Sequence, residues 1–261
     1  MGIEYFHSES FNMVEIKTCS DDIHAYKSHV HRELSLGFIE RGSTVLEIGS
    51  REYRLQAGDA ILISPFVSHK CQPVNPDNWA FTMIYIRREF ARGLFENSSK
   101  LHAIGISRLE PEQFRKLQNL TAFLKSHKER FYQEVALAEV LSGLAGTVRI
   151  SIDLEDRQAI RTIKEYMEAH FLDSLDLSTL EKRFGLGKFA LIKGFKAVYN
   201  TTPNAFQLQL KVEYAKRLLE SRKSLAEVAL AAGFYDQPYF SREFKKAYGI
   251  TPLQYRRSLE E

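Results

Sequence analysis

The sequence predicts an α+β protein, an antiparallel β-barrel or sandwich followed by a wholly helical region, because the hydrophobic period changes along the chain. From about Phe11 to Arg87 apolar and polar residues alternate, as in Thr44-Val45-Leu46-Glu47-Ile48 and Phe81-Thr82-Met83-Ile84-Tyr85-Ile86, which is the period of strands. Gly42-Ser43, Gly49-Ser50, Ala57-Gly58-Asp59 and Asn75-Pro76-Asp77-Asn78 punctuate this region with turn-forming residues, so short strands fold back on one another and close. Helical spacing then takes over. Phe114, Leu117, Leu120 and Leu124 share one helix face, and Val135, Leu137, Leu141, Leu144 and Val148 belong to the next helix. These two helices dock either on the barrel or on a second subunit. Ile152 to Asp156 is a polar break, and from Gln158 the pattern is helical. The expected division is a barrel over residues 1–105, a helical dimerisation or linking segment over 106–152, and a helical domain over 153–261.

Composition limits what the chain can be. A length of 261 residues with 44% hydrophobic content suffices for a buried core, which excludes a disordered protein. The formal net charge is +3, and residues 155–261 carry 18 Lys and Arg against 14 Asp and Glu, so the excess cation sits in the helical region. Two cysteines, Cys19 and Cys71, are too few for a disulfide scaffold. The start, Met1 to Phe11, lacks a basic-then-apolar leader, and no apolar run approaches the roughly 20 residues of a membrane helix. A cytoplasmic protein with no membrane partner is expected.

An internal repeat organises the helical region. Phe195-Lys196-Ala197-Val198-Tyr199-Asn200-Thr201-Thr202-Pro203 recurs 49 residues later as Phe244-Lys245-Lys246-Ala247-Tyr248-Gly249-Ile250-Thr251-Pro252. Ahead of each copy stand a capping-box pattern, Ser178-x-x-Glu181 or Ser224-x-x-Glu227, and a turn glycine, Gly185 or Gly233. Each copy therefore reads as a short helix, a turn, a longer helix and a stop at Asn200 or Gly249, the grammar of a helix-turn-helix. Asn204 to Leu219, without a breaker, is a long helix joining the two units.

The second helix of each unit divides into faces. Leu191, Phe195 and Val198 point inward in the first, and Phe240, Phe244 and Ala247 in the second. Phe189, Ile192, Lys193 and Lys196 then face outward, as do Pro238, Ser241, Arg242 and Lys245, with Gln237 at the helix start; the two sets are related by the same 49-residue offset. Such side chains suit a DNA major groove: Arg242 and Lys193 match guanine, Gln237 adenine, Phe189 or Ile192 the thymine methyl, and Lys196 and Lys245 phosphates. Taken singly, each cation is equally well read as an ordinary solvated residue.

The stretch Ala229-x-x-x-Gly233-Phe234, Tyr239-Phe240-x-x-x-Phe244-Lys245-x-x-x-Gly249-x-Thr251-Pro252-x-x-Tyr255-Arg256 resembles the AraC/XylS family of bacterial transcription regulators, a similarity covering about residues 158–257. The resemblance implies base contacts from Phe189, Ile192, Lys193, Gln237, Pro238, Ser241 and Arg242 in successive major grooves. It also implies promoter DNA, RNA polymerase, a small-molecule effector and a second copy of the chain as partners. Gly187 and Gly194 stand where the family more often has a hydroxyl and a bulky apolar residue, which predicts a less rigid first unit.

In the barrel, His29-Val30-His31-x-Glu33, Gly42, Gly58-Asp59 and Pro65-x-x-x-His69 resemble a cupin, whose metal sites use a His-x-His pair, a Glu and a later His. In an extended chain His29, His31 and Glu33 share a face, as do His69 and Cys71. Glu33 comes sooner than the pattern asks, and Val67 replaces the usual glycine. Two alternatives stay open: a divalent metal on His29, His31 and His69, or an organic effector among His29, His31, Glu33, His69 and Cys71. Regulators with a similar His-x-Cys-x-Pro strand, as in His69 to Pro73, accompany amino-acid exporters, so an amino acid is the expected effector. The rival functions are a metal-dependent cupin enzyme with a helical appendage and a helical protein-binding module. No catalytic residue is assigned.

Overall fold

The computed structural model describes residues 2–8, 11–21, 28–49, 51–95, 104–126, 129–145, 150–152 and 158–259. Among the described residues, ten strands form two antiparallel sheets: β1 (Gly2–His7), β2 (Val14–Ser20), β3 (Leu34–Arg41), β4 (Ser43–Ile48), β5 (Arg51–Gln56), β6 (Asp59–Ile63), β7 (Lys70–Pro73), β8 (Ala80–Ile86), β9 (Ile104–Arg108) and β10 (Ile150–Ile152). The larger sheet runs β1-β2-β8-β3-β6-β9-β10 and the smaller β5-β4-β7. The chain passes from β3 directly into β4 at Gly42, whose φ is +78° and where a Cβ would lie 2.0 Å from the Asn78 carbonyl oxygen. Only glycine fits that turn. β1 lies ahead of the region that alternation marked out.

Two helices follow the barrel strands more intimately than expected. After α1 (Arg88–Phe95), α2 (Pro111–Leu124) and α3 (Arg130–Ala145) lay Leu117, Leu120, Leu124, Leu137 and Leu141 onto one face of the large sheet, against Val14, Ile16, Leu34, Leu36 and Ile84. The helices expected as a separate segment over 106–152 thus complete the barrel's own core. β9 spans the expected boundary at residue 105, and β10 returns the chain to β9 before the helical region. Val135 is exposed instead of facing a core; Val148 and most of the expected polar break lie outside the described residues.

The helical region comprises α4 (Gln158–His170), α5 (Leu177–Phe184), α6 (Lys188–Tyr199), α7 (Pro203–Leu218), α8 (Leu225–Ala231), α9 (Gln237–Tyr248) and α10 (Pro252–Ser258). The start of α7 shares a core with α4 to α6 through Phe206 and Leu210, and its end shares another with α8 to α10 through Val212, Ala215 and Leu219. One rigid helix thereby carries both units. The repeated Thr-Pro pairs are helix starts: Thr202 and Thr251 cap α7 and α10 with Pro203 and Pro252 in the first turn. Asn200 and Gly249 take the left-handed position after α6 and α9, as expected. Ser224 forms the expected capping box with Glu227. α5 differs, because Asp176 caps it by accepting from the Thr179 amide, leaving Ser178 inside the first turn.

Gly194 corrects the expectation of a slack first unit. A Cβ there would lie 2.4 Å from Ile160 Cδ1, so the glycine is the notch that lets α4 press against α6. Gly187 does start α6 without a side-chain cap. Replacing Gly194 with Val should lower stability by about 1–3 kcal/mol through overpacking, and Ile160→Ala in the same chain should recover part of it. Urea unfolding checks this, and an unchanged midpoint for Gly194→Val would contradict the packing account.

Candidate DNA-reading face, barrel cavity and the joint between them

The two longer helices present the expected residues to solvent. On α6, Phe189 is 80% exposed, Lys193 and Lys196 are exposed, and Ile192 is half-buried. On α9, Gln237, Pro238, Arg242 and Lys245 are exposed and Ser241 is half-buried. Ile192 and Ser241, partners across the repeat, therefore also match in burial. Asp236 accepts from the Tyr239 amide at 2.7 Å and fixes where α9 begins, and the Arg242 guanidinium lies 5.9 Å from the Tyr239 ring centre. Inside the second unit Phe240 and Phe244 are buried, but the position expected for Ala247 is shared: Ala247 is half-buried and Tyr248 is fully buried.

Strand alternation builds the barrel cavity. In β2, Val14 and Ile16 face α2 and α3, so Glu15 and Lys17 face the other way, in register with Tyr85 and Met83 of β8. Between this face and the small sheet lies a cavity lined among others by Lys17, Ile39, Leu55, Ile61, Trp79, Phe81, Met83 and Cys71. His29, His31 and His69 stand on its wall. His29 and His69 are tied by a pair of backbone hydrogen bonds of 3.0 Å, and ligand atoms of all three imidazoles lie within 4.8 Å of one another.

The environment sets the protonation of these groups. Burial, then the neighbouring His29 and His69, holds His31 well below the ordinary histidine range; burial brings His69 down to about 4. Burial pushes the Cys71 thiol up to about 12, so without a metal it is protonated at neutral pH. His69 Nδ1 lies 2.9 Å from the Val67 carbonyl oxygen, and His31 Nδ1 is buried without a hydrogen-bond partner. Three clustered imidazoles, one oriented by a carbonyl, fit a transition metal. Glu33 does not join them. Its carboxylate lies 3.8 Å from Lys216 Nζ of α7, so it belongs to the contact with the helical domain.

That contact is the part sequence reasoning missed. Lys216 Nζ donates to Glu15 Oε1 at 2.8 Å and lies between 5.2 and 5.7 Å from the ring centres of Tyr248, Tyr85 and Tyr255. Tyr255 Oη donates to Glu15 Oε2 and Tyr248 Oη to Glu213 Oε1, each at 2.5 Å. Tyr5 Oη reaches back from β1 to the Tyr248 carbonyl oxygen at 2.9 Å. A signal was present: Glu213 interrupts the Phe206, Leu210 stripe of α7, and Lys216 interrupts the Val212, Leu219 stripe. Charges at such positions mark a buried polar contact.

Burial works against the Glu15 carboxylate, but Lys216, His7 and a hydrogen bond from Tyr255 outweigh it, so its pKa falls below the ordinary 4.5. Glu213 goes the other way: burial and then Glu33 raise it to about 8. Because the folded pKa of Glu15 is depressed, its stabilising contribution is complete above about pH 4.5 and is lost as pH falls through the lower folded value. Limited proteolysis between the domains from pH 7 to 3 should show docking loosen at the acid end. Glu15→Gln should be loose throughout that range, and a pH profile identical to wild type would contradict the role given to this pair.

A barrel domain joined to a tandem helix-turn-helix domain defines a transcription regulator with a ligand-binding module. Residues 16–143 match the model for an AraC-like ligand-binding domain, and residues 180–258 match a helix-turn-helix domain model. Among relatives, the MmsAB operon regulatory protein of Pseudomonas aeruginosa is 27% identical over 91% of this chain and 80% of its own length. An HTH-type regulator of Bacillus subtilis, YbfI, is 25% identical over 82% and 81%. ToxT from Vibrio cholerae, in a structure bound to (E)-4-(8-methylnaphthalen-1-yl)but-3-enoic acid, superposes with a TM-score of 0.63 at 14% identity, covering 99% of this chain and 100% of that one. The chain belongs to the AraC family of transcription regulators. Among the described residues no helix is long and apolar enough to cross a membrane.

Proposed function

We propose that the protein reads a promoter through α6 and α9 while the barrel cavity takes a small effector that controls this binding. The observation that carries the proposal is the pairing of exposed side chains across the repeat, Lys193 with Arg242 and Lys196 with Lys245, at equivalent places on two capped helices joined by α7. Within it, Gln237, Pro238, Ser241 and Arg242 touch base edges, Phe189, Ile192 and Lys193 do so from the first unit, and Lys196 and Lys245 meet phosphates. A second copy of the chain and RNA polymerase complete the proposed assembly. The sequence relatives named above are an operon regulatory protein and an HTH-type transcriptional regulator, which favours this reading over the cupin enzyme.

A divalent metal on His29, His31 and His69 is a second reading of the cavity wall, favoured by the closeness of their ligand atoms. Bound there, it would supply a Lewis-acid point for an oxygen of the effector. The three residues would hold it through ring-nitrogen lone pairs. Zinc added to metal-free protein should raise the unfolding temperature, and His69→Ala should abolish that rise; equal shifts in both proteins would remove the reading.

Promoter binding should weaken steeply as salt rises, because cations on both helices displace counterions from phosphates. Arg242→Ala should weaken binding to the cognate site by about 1–3 kcal/mol and leave binding to random DNA nearly unchanged. Titration by fluorescence anisotropy at fixed salt decides, and an equal loss on both DNAs would refute base reading by Arg242.

A further inference from the structure

Lys17 is the cation on the cavity wall, among the described residues that line it. It lies on β2 two residues from Glu15, on the same face, and its side chain is buried. Glu15 is already engaged by Lys216 and Tyr255. Among the described residues Lys17 has no carboxylate within ion-pair distance. Its ammonium rests 5.6 and 5.8 Å from the ring centres of Tyr5 and Phe81, and its hydrogen bond is a long one, 3.5 Å to the Tyr248 carbonyl oxygen. Burial brings its pKa down to about 7, against the raising fields of Cys19 and Glu15.

The rest of the lining offers little else that is charged. His31, His69 and the thiol are neutral, among the described residues no Asp or Glu lines the cavity, and the walls are mainly apolar. The molecule that complements such a site has one anionic end and an apolar body. An amino acid, the effector expected from the His69 to Pro73 strand, would bring an ammonium for which the lining holds no acidic partner.

Building on the reading of the barrel as an effector domain, we propose that Lys17 anchors an apolar monocarboxylate in the cavity. We further propose that it reports occupancy by giving up the Tyr248 carbonyl. Tyr248 is the last residue of α9, where helix carbonyls gather partial negative charge. Lys17 and Tyr5 hold that end from the barrel. A carboxylate is the stronger acceptor, so the ammonium turns inward when one binds. Cavity occupancy and the seat of the DNA-reading helix α9 thus compete for one cation.

The test uses full-length protein with matched probes of four to eight carbons: straight-chain carboxylates, their primary amides, and the corresponding 2-amino acids. Binding is read by isothermal titration and by shift of the unfolding temperature. Carboxylates should bind at least tenfold more tightly than the amides and amino acids. Lys17→Met should erase that preference, while Lys17→Arg should retain it. Amides or amino acids binding as tightly as carboxylates would overturn the anchor and leave the effector domain standing. Binding by none of the three probe sets would overturn the anchor and count against the effector reading as well. The wild-type comparison decides even if Lys17→Met fails to fold. Hydrogen exchange at the last turn of α9 should quicken in wild type when carboxylate is bound, and unchanged exchange would refute the competition.

Discussion

The arrangement of the whole molecule depends on one buried ammonium, that of Lys216. Burial alone would strip its proton, but Glu15, Glu33 and Glu213 surround it and raise its pKa instead. Removing one partner of such a pair typically costs about 3–5 kcal/mol, because the other charge is left in a poorly solvating place. The pair is therefore less a source of net stability than a condition on geometry. Helix α7 must sit where Lys216 meets Glu15, and because α7 contributes to both helical cores, both units are positioned with it. Tyr5, Met83 and Tyr85 of the barrel then share an apolar core with the second unit, and Val30 and Phe66 with the first.

This joint is also where the two functional parts approach each other. A single face of β2 presents Glu15 to the helical domain and Lys17 to the cavity, two residues apart, as strand geometry requires. The Tyr248 carbonyl at the end of α9 receives Tyr5 Oη and Lys17 Nζ from the barrel. The exposed side of α9 carries Arg242 and Lys245, while its buried side, through Tyr248, bonds to Glu213. A shift at the cavity need pass through only a few side chains to reach the DNA-reading helix. Coupling of this kind calls for a two-state element, and the docked seat of α7 and α9 on the sheet is the candidate.

Much of this was legible in the sequence because it follows local rules. Alternation marked β4 and β8, the 49-residue repeat marked both helix-turn-helix units, and Asn200 and Gly249 marked the ends of their second helices. The misses are long-range. For α2 and α3 the sequence left two docking places open, the barrel or a second subunit, since an apolar helix stripe does not name what it covers. Gly194 suggested slackness because its purpose lies in Ile160, on another helix. Glu33 looked like an effector-binding residue from its nearness to His31 in sequence, yet its partner, Lys216, arrives from far along the chain. For the proposed DNA contacts, the sequence located the residues and the structure supplied their exposure.

The most direct measurement of the central claim is a double-mutant cycle between Glu15→Gln and Lys216→Met in the full-length chain, with domain docking followed by urea titration at pH 7. Interdomain coupling through this pair predicts an interaction energy of about 1 kcal/mol or more. Effects that simply add, within about 0.5 kcal/mol, would contradict the account and place the control of docking elsewhere.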